Sequence, residues 1–320
     1  MVVRSPLQGG LPPTGAVDGA VVEIACDESG FSGTNLLDSR TPLITHASVD
    51  LSRDESVALI GAMRSEFGEL KSGPFLRRRG AAEAVERFLA VLPGRAHVHL
   101  IDKEFFLVTR VVDLLLSDAS YAAGTRLTAG QRPAAVALYR AGRSAGSDWT
   151  SFLAAFVDLV RTKRRRPGDE AAARFLLTRD ALAVHRLGVS AEAVLGGLGA
   201  TRVRDLAARL DDGDPSIPPP LEPMLPALAE TILSWSGGHR RVLVVHDEQS
   251  ALTAGRLTRL REVLADASPI SPLAGLTMVD SRDDPRVQVA DLLAGVARRL
   301  PGTPMLQPLI TPTSLRDPEA

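Results

Sequence analysis

The sequence has little cysteine and no excess of charge of either sign. Cys26 is the single cysteine among 320 residues, which excludes an internal disulfide and a cysteine-rich metal site. A lone cysteine also fits a reducing compartment, so a cytoplasmic location is expected. The 37 basic and 38 acidic residues give a formal net charge of -1. No overall field therefore draws the chain to a polyanion, and a site for nucleic acid must be a local patch.

The sequence also lacks an apolar run long enough to span a membrane, so no membrane partner is expected. Residues 1–20 are rich in glycine and proline and have no unbroken apolar core like that of a signal peptide. We expect this stretch to be a disordered tail. Residues 301–320 are proline-rich, and a second tail is expected there.

Strand patterns lie near the two ends of the chain, and helical patterns lie between them. Apolar or alternating segments predict strands at 21–26, 41–51, 95–101, 241–245 and 276–279. From about 105 to 238 the helical signals dominate, with Ser147–Lys163 the clearest amphipathic helix. The pattern predicts an α/β protein over 21–300. Its mixed sheet would be flanked by helices and interrupted by a helical insertion at about 105–238.

Two helices of this α/β region carry clear start signals. Ser52 followed by Glu55 forms a capping-box pattern and predicts a helix over 52–67. Asp284 followed by Pro285 predicts the start of a helix over 285–300.

Acidic residues follow the predicted strands at several points. The first strand ends in Asp27-Glu28, and a later strand ends in Asp247-Glu248 after His246. A third strand ends in Asp280, and the last helix carries Asp291. If the strands lie side by side, their ends meet in a crevice at one end of the sheet, where α/β proteins bind ligands. The alternative is that Asp27 or Glu28 caps the backbone amides of a turn.

Clustered carboxylates repel one another and take up protons unless a cation holds them ionised. Oxygen ligands without cysteine or a histidine pair select Mg²⁺ or Mn²⁺ rather than Zn²⁺. Two such ions roughly 4 Å apart activate water and stabilise the leaving oxygen in phosphodiester hydrolysis. The acids therefore predict a site for Mg²⁺ or Mn²⁺.

Four short motifs resemble the bacterial "domain of unknown function 3800" family. They are Asp27-Glu28-Ser29-Gly30, Glu69-Leu70-Lys71, the strand end at Asp247, and Gln288-Val289-Ala290-Asp291. The resemblance runs from about residue 21 to residue 300 and covers the middle region poorly. The family is similar to the ribonuclease H superfamily, in which acids on the first strand, the fourth strand and a late helix bind two metal ions.

The resemblance implies that Asp27, Asp247 and Asp291 are metal ligands and that Glu28 assists catalysis. Glu28, Glu248 and Asp280 are alternatives for a fourth ligand. The gap of 220 residues between Asp27 and Asp247 (247 − 27) exceeds a minimal domain of this superfamily, which the helical insertion explains.

Three further residues are candidates to support the metal ligands. Lys71 lies in a family motif and is a candidate contact for the scissile phosphate, although a loop lysine is usually only solvated. His246 is a candidate proton shuttle or an ordinary partly buried histidine. Gln288 is a candidate to orient Asp291 or a metal-bound water.

Basic clusters supply candidate contacts to nucleic acid. One is Arg77, Arg78 and Arg79, and the other is Lys163, Arg164 and Arg165. Basic residues at a helix end also interact favourably with the helix dipole, so a solvated helix end is the alternative for the second cluster.

Three functions follow from these patterns. The first is a Mg²⁺-dependent nuclease. The second is a catalytically inactive nucleic-acid-binding or scaffold protein of a defence or mobile-element system. The third is a hydrolase of small nucleotides, which requires a narrow pocket.

Overall fold

The computed structural model describes residues 10–13, 19–31, 35–63, 71–117, 130–161, 167–265 and 271–319. The chain forms two compact units. The first, called the sheet unit, comprises residues 1–31, 43–100 and 227–314. The second, called the helical unit, comprises residues 32–42, 101–226 and 315–320.

A five-stranded sheet has the order β3-β2-β1-β4-β5. Its strands are β1 (Val21–Ser29), β2 (Leu43–Val49), β3 (Ala96–Asp102), β4 (Arg241–Asp247) and β5 (Leu273–Val279). β1 pairs with β2 in the antiparallel sense and with β4 in the parallel sense, and β4 and β5 are parallel. The sheet is therefore mixed, which confirms the predicted α/β class.

Two strands continue through the acids that were predicted to follow them. In β1, Glu28 pairs with His46 of β2, and Ser29 pairs with Thr45. In β4, Asp247 pairs with Val279 of β5. The apolar strand predicted from residue 21 extends to Ser29, because pairing with β2 provides partners for the three residues after Cys26.

The two faces of the sheet are covered by different helices, α12 (Pro285–Arg299) and α10 (Met224–Ser236). On the first face, Thr45 donates a hydrogen bond of 2.7 Å to the carbonyl of Ala294 in α12. On the second, Trp235 of α10 donates a hydrogen bond of 2.8 Å to Ser48. Since side chains alternate along a strand, Asp27 projects towards the α12 face, as does Asp247.

The remaining helices of the sheet unit are α1 (Arg53–Met63), α2 (Ser72–Leu76), α3 (Ala81–Ala90) and α11 (Ala254–Ala265). The capping box of α1 is confirmed, because Ser52 Oγ accepts from the Glu55 amide and Glu55 accepts from the Ser52 amide. Asp284 caps α12 by accepting from the amide of Arg286 at 2.9 Å. Both helix starts therefore follow the local sequence.

The helical unit contains α4 (Lys103–Leu115), α5 (Arg132–Gly142), α6 (Ser147–Val160), α7 (Gly168–Ala183), α8 (Val189–Gly197) and α9 (Ala200–Asp211). Every residue of α4 except Glu104 is buried, so this helix lies in the core of the unit. The apolar face predicted for the 147–163 helix is buried too, and Phe152 packs against Phe175 of α7.

Three boundaries differ from those predicted. The predicted insertion included α10, but residues from Ala227 onward belong to the sheet unit. Leu11, within the expected N-terminal tail, exchanges two backbone hydrogen bonds with Leu276 of β5. In the expected C-terminal tail, residues 304–309 form a 3₁₀ helix and Ile310 bridges to Val98 of β3. Within the described residues, no helix has the length and apolar character needed to cross a membrane.

Candidate carboxylate site

The site is centred on Asp27, near the end of β1. Its side chain is buried, with 5% of its surface exposed. Oδ1 accepts a hydrogen bond of 2.6 Å from the amide of Glu28. Since the local turn interaction satisfies only one oxygen, amide capping does not account for the burial of this carboxyl group.

Asp247 and Asp291 bring two further carboxylates to Asp27. Asp247, at the end of β4, accepts a hydrogen bond of 2.9 Å from the amide of Ser281, which follows β5. Asp291 lies on α12, and the ammonium group of Lys71 is 3.3 Å from its Oδ2. Residues from two parallel strands, one helix and the loop before α2 therefore meet at the α12 face of the sheet.

The pKa of Asp27 reflects the proximity of the other carboxylates. Burial raises the pKa of Asp27 from 3.8 to about 9, and repulsion by Glu28, Asp291 and Asp247 adds to the effect. Burial likewise raises the pKa of Asp247, while hydrogen bonds from backbone amides and the charge of Lys71 act in the opposite direction. Without a cation, Asp27 is therefore protonated at neutral pH.

Glu28 lies on the same strand but is held by a different partner. Gln249 donates a hydrogen bond of 2.5 Å from Nε2 to Glu28 Oε1, and its own Oε1 accepts from the amide of Ala251. Sequence reasoning missed Gln249. It follows the Asp-Glu pair of β4 directly, but only the pairing of β4 with β1 brings it to Glu28.

The two alternative ligands at the strand ends do not join this group. Asp280 forms an ion pair with Arg282 and also accepts from its amide. Glu248 is exposed. A neighbouring arginine therefore pairs with the first, and the second faces solvent at the end of its strand, so their role as a fourth ligand stays a prediction.

His246 is fully buried and lies on the face opposite Asp247. Its Nε2 is 3.1 Å from Nε2 of His46, and its Nδ1 is 2.8 Å from the carbonyl of Asp247. His46 Nδ1 in turn lies 3.0 Å from the hydroxyl of Thr231 in α10. The ring of His246 packs in the core beside His46, which is the environment of the alternative, an ordinary buried histidine.

Gln288 lies one helical turn before Asp291 on α12. Its Oε1 is buried and has no hydrogen-bond partner in the described structure. An unsatisfied buried acceptor on this helix face provides a place for a donor such as a bound water. This environment suits the predicted orienting role.

Of the two basic clusters predicted to contact nucleic acid, the structure describes only the first. Arg77 and Arg79 are exposed just after α2, and Arg78 is partly buried. Lys163, Arg164 and Arg165 lie outside the described residues.

The fit of the site to a divalent cation depends on charge and donor type. All the converging donors are carboxylates, the hard oxygen ligands that Mg²⁺ and Mn²⁺ prefer. Burial, and then repulsion from the neighbouring carboxylates, raises the pKa of Asp27. Within the described ranges, however, no three His, Cys, Asp or Glu side chains are grouped closely enough to hold one ion. The donors suit the ion in chemistry and charge but are not gathered around one position in the described structure, and Lys71 is the cation that contacts Asp291.

No protein family, characterised protein or solved structure matches the chain. The resemblance to the "domain of unknown function 3800" family therefore stays a prediction.

Proposed function

We propose that this protein is a metal-dependent nuclease that hydrolyses phosphodiester bonds. The observation that carries the proposal is the convergence of Asp27, Asp247 and Asp291, which are far apart in the sequence, at one face of the sheet. Burial, and then repulsion by Glu28, Asp291 and Asp247, raises the pKa of Asp27 to about 9. Such an arrangement is costly in a folded protein, and a divalent cation would relieve the cost.

In this proposal, Asp27, Asp247 and Asp291 would be the residues that hold Mg²⁺ or Mn²⁺. The bound ion would supply Lewis acidity and lower the pKa of a water molecule. Glu28, held by Gln249, would assist by adding its negative charge beside Asp27. Lys71 is exposed enough to leave Asp291 and contact a phosphate oxygen of the substrate.

The order of the elements supports the finer proposal of a ribonuclease H-like domain. The three acids lie on β1, β4 and α12, which are the first strand, the fourth strand and a late helix. These are the elements on which the superfamily resemblance places the metal ligands.

The proposal is tested with Asp27→Asn and Asp291→Asn on labelled DNA and RNA, with Mg²⁺ or Mn²⁺ and with EDTA. We expect cleavage to fall by on the order of 100-fold or more, since even partners of metal ligands are worth about 10- to 100-fold. Glu86→Gln, on the exposed side of α3, is the matched control. Full cleavage by both aspartate variants, with circular dichroism unchanged, would overturn the assignment.

A second candidate function is nucleic-acid binding without catalysis. It is favoured by the ion pair between Lys71 and Asp291, since a protein that holds its own cation at the site has less need of a metal. In that case Asp27→Asn leaves binding unchanged, and the wild-type protein cleaves neither DNA nor RNA with either ion.

A further inference from the structure

Two adjacent arginines at the C-terminal end of α12 form a positive patch that the sequence patterns did not single out. Arg298 Nε donates a hydrogen bond of 2.9 Å to Ser29 Oγ. Arg299 Nη1 donates to Ser72 Oγ at 2.8 Å and to the carbonyl of Gly295 at 3.2 Å. All three acceptors are neutral. Within the part of the chain that the structure describes, neither guanidinium forms an ion pair.

The packing beneath these side chains depends on two glycines. A Cβ atom at Gly30, where φ is +92°, would lie 2.5 Å from Cδ of Arg298 and 2.5 Å from the carbonyl oxygen of Leu43. A Cβ atom at Gly295 would lie 1.9 Å from Ser72 Oγ. The two glycines therefore allow Arg298 to cross the end of β1 and allow Ser72 to approach α12.

Among the residues that the structure describes, no carboxylate pairs with Arg298 or Arg299. Arg298 is partly buried, and both burial and the charge of Arg299 lower its pKa. Arg299 is exposed, and holding a partly buried guanidinium beside a second positive charge is unfavourable unless an anion joins them. Arg77 also belongs to the patch. A Cβ atom placed on Gly73 would lie 3.7 Å from Nη1 of Arg77 and 3.4 Å from Nη2 of Arg299, so the two guanidinium groups lie on either side of the same glycine.

The patch is connected to the carboxylate site on two sides. Ser29, the partner of Arg298, lies two residues after Asp27 on β1. Ser72, the partner of Arg299, directly follows Lys71, whose ammonium group contacts Asp291. Asp291 and Arg298 are seven residues apart on α12, a rise of roughly 10 Å. That distance places the patch one or two nucleotides from the carboxylates.

We propose that Arg298 and Arg299, together with Arg77, bind a backbone phosphate of the nucleic-acid strand beside the phosphate at the carboxylate site. The planar guanidinium groups suit the bidentate recognition of phosphate oxygens. The identity of the ligand as a phosphodiester strand rests on the proposed function. The binding step requires no metal and no hydrolysis, so it is measurable separately from cleavage.

The test is fluorescence anisotropy of labelled oligonucleotides with EDTA, over a series of salt concentrations. DNA and RNA probes of one sequence, each single-stranded and duplex, distinguish the source of the phosphate. For Arg298→Gln/Arg299→Gln we expect at least tenfold weaker binding. The slope of log K against log salt should fall by about 0.7 on single strands, because the loss of one phosphate contact removes about 0.7.

Two variants keep this test informative. Arg259→Gln, on the exposed side of α11, removes one positive charge elsewhere and should bind like the wild-type protein. Arg298→Lys/Arg299→Lys changes the same two side chains but keeps their charge, so it should keep most of the salt slope. The comparison shows whether the glutamine variant binds weakly because it lost charge or because it is misfolded.

The inference is overturned if the double glutamine variant binds with the wild-type affinity and salt slope, or if the wild-type protein binds none of the probes. If binding depends on both arginines but no ion supports cleavage, the inference stands and the nuclease proposal fails. If cleavage requires Asp27 while binding does not depend on Arg298 and Arg299, the nuclease proposal stands and the inference fails.

Discussion

Replacing Asp27 by asparagine should stabilise the metal-free protein while removing the proposed activity. The side chain is buried among other carboxylates, and its pKa is raised from 3.8 to about 9. Because the folded-state pKa lies above that of the unfolded chain, folding takes up a proton between these two pH values. The contribution of protonated Asp27 to the free energy of unfolding is complete below pH 3.8, and it is lost as the pH rises towards 9.

The magnitude follows from the size of this shift. Each pH unit within the window lowers the free energy of unfolding by about 1.4 kcal/mol, so the loss between pH 4 and pH 7 is about 4 kcal/mol. Asparagine resembles the neutral acid and keeps an oxygen that accepts from the Glu28 amide. The difference in stability between the variant and the wild-type protein should therefore grow with pH.

The assay is urea denaturation from pH 4 to pH 8 in EDTA, followed by tryptophan fluorescence. Of the two tryptophans, Trp235 lies in the sheet unit and Trp149 in the helical unit. A Trp149→Phe background therefore makes the signal specific for the sheet unit. Saturating Mg²⁺ should stabilise the wild-type protein at pH 8 but not Asp27→Asn.

This reasoning would be refuted if the free energy of unfolding changed with pH in the same way for the variant and the wild-type protein. That result would mean that Asp27 is ionised in the folded state without a metal. Glu86→Gln, an exposed carboxylate, serves as the control and should follow the wild-type profile.

Two further predictions concern packing and pH. Gly295→Ala should lower the free energy of unfolding by about 1–3 kcal/mol through overpacking, and Ser72→Gly in the same chain should recover most of that loss in urea denaturation. An unchanged loss in the double variant would contradict the close contact. Burial and the neighbouring His246 lower the pKa of His46, so stability should fall as the pH drops below about 6.5. His46→Gln should reduce this fall in denaturation curves at pH 7 and pH 5, and an equal fall would contradict the burial of a neutral ring.

The local sequence determined the elements whose signals lie within a few residues of one another. Ser52 and Glu55 satisfy each other's backbone amides, and Asp284 satisfies an amide at the start of α12, so both helix starts were predictable. The apolar runs of β1 and β4 likewise reflect burial on both faces of a strand. The approach of Asp27 to Asp247 and Asp291 was expected from strand ends and from a family resemblance.

The tertiary structure decided the features that depend on register and on contacts between distant segments. Pairing with β2 extended β1 through Glu28, and the same register turned His246 away from the carboxylates towards His46. Gln249 reaches Glu28 only because β4 lies beside β1. Arg298 and Arg299 were inconspicuous in the sequence, since basic residues are common at the end of a helix. What surrounds them in the described structure, two serine hydroxyls and a backbone carbonyl, depends on the fold, which no local pattern encodes.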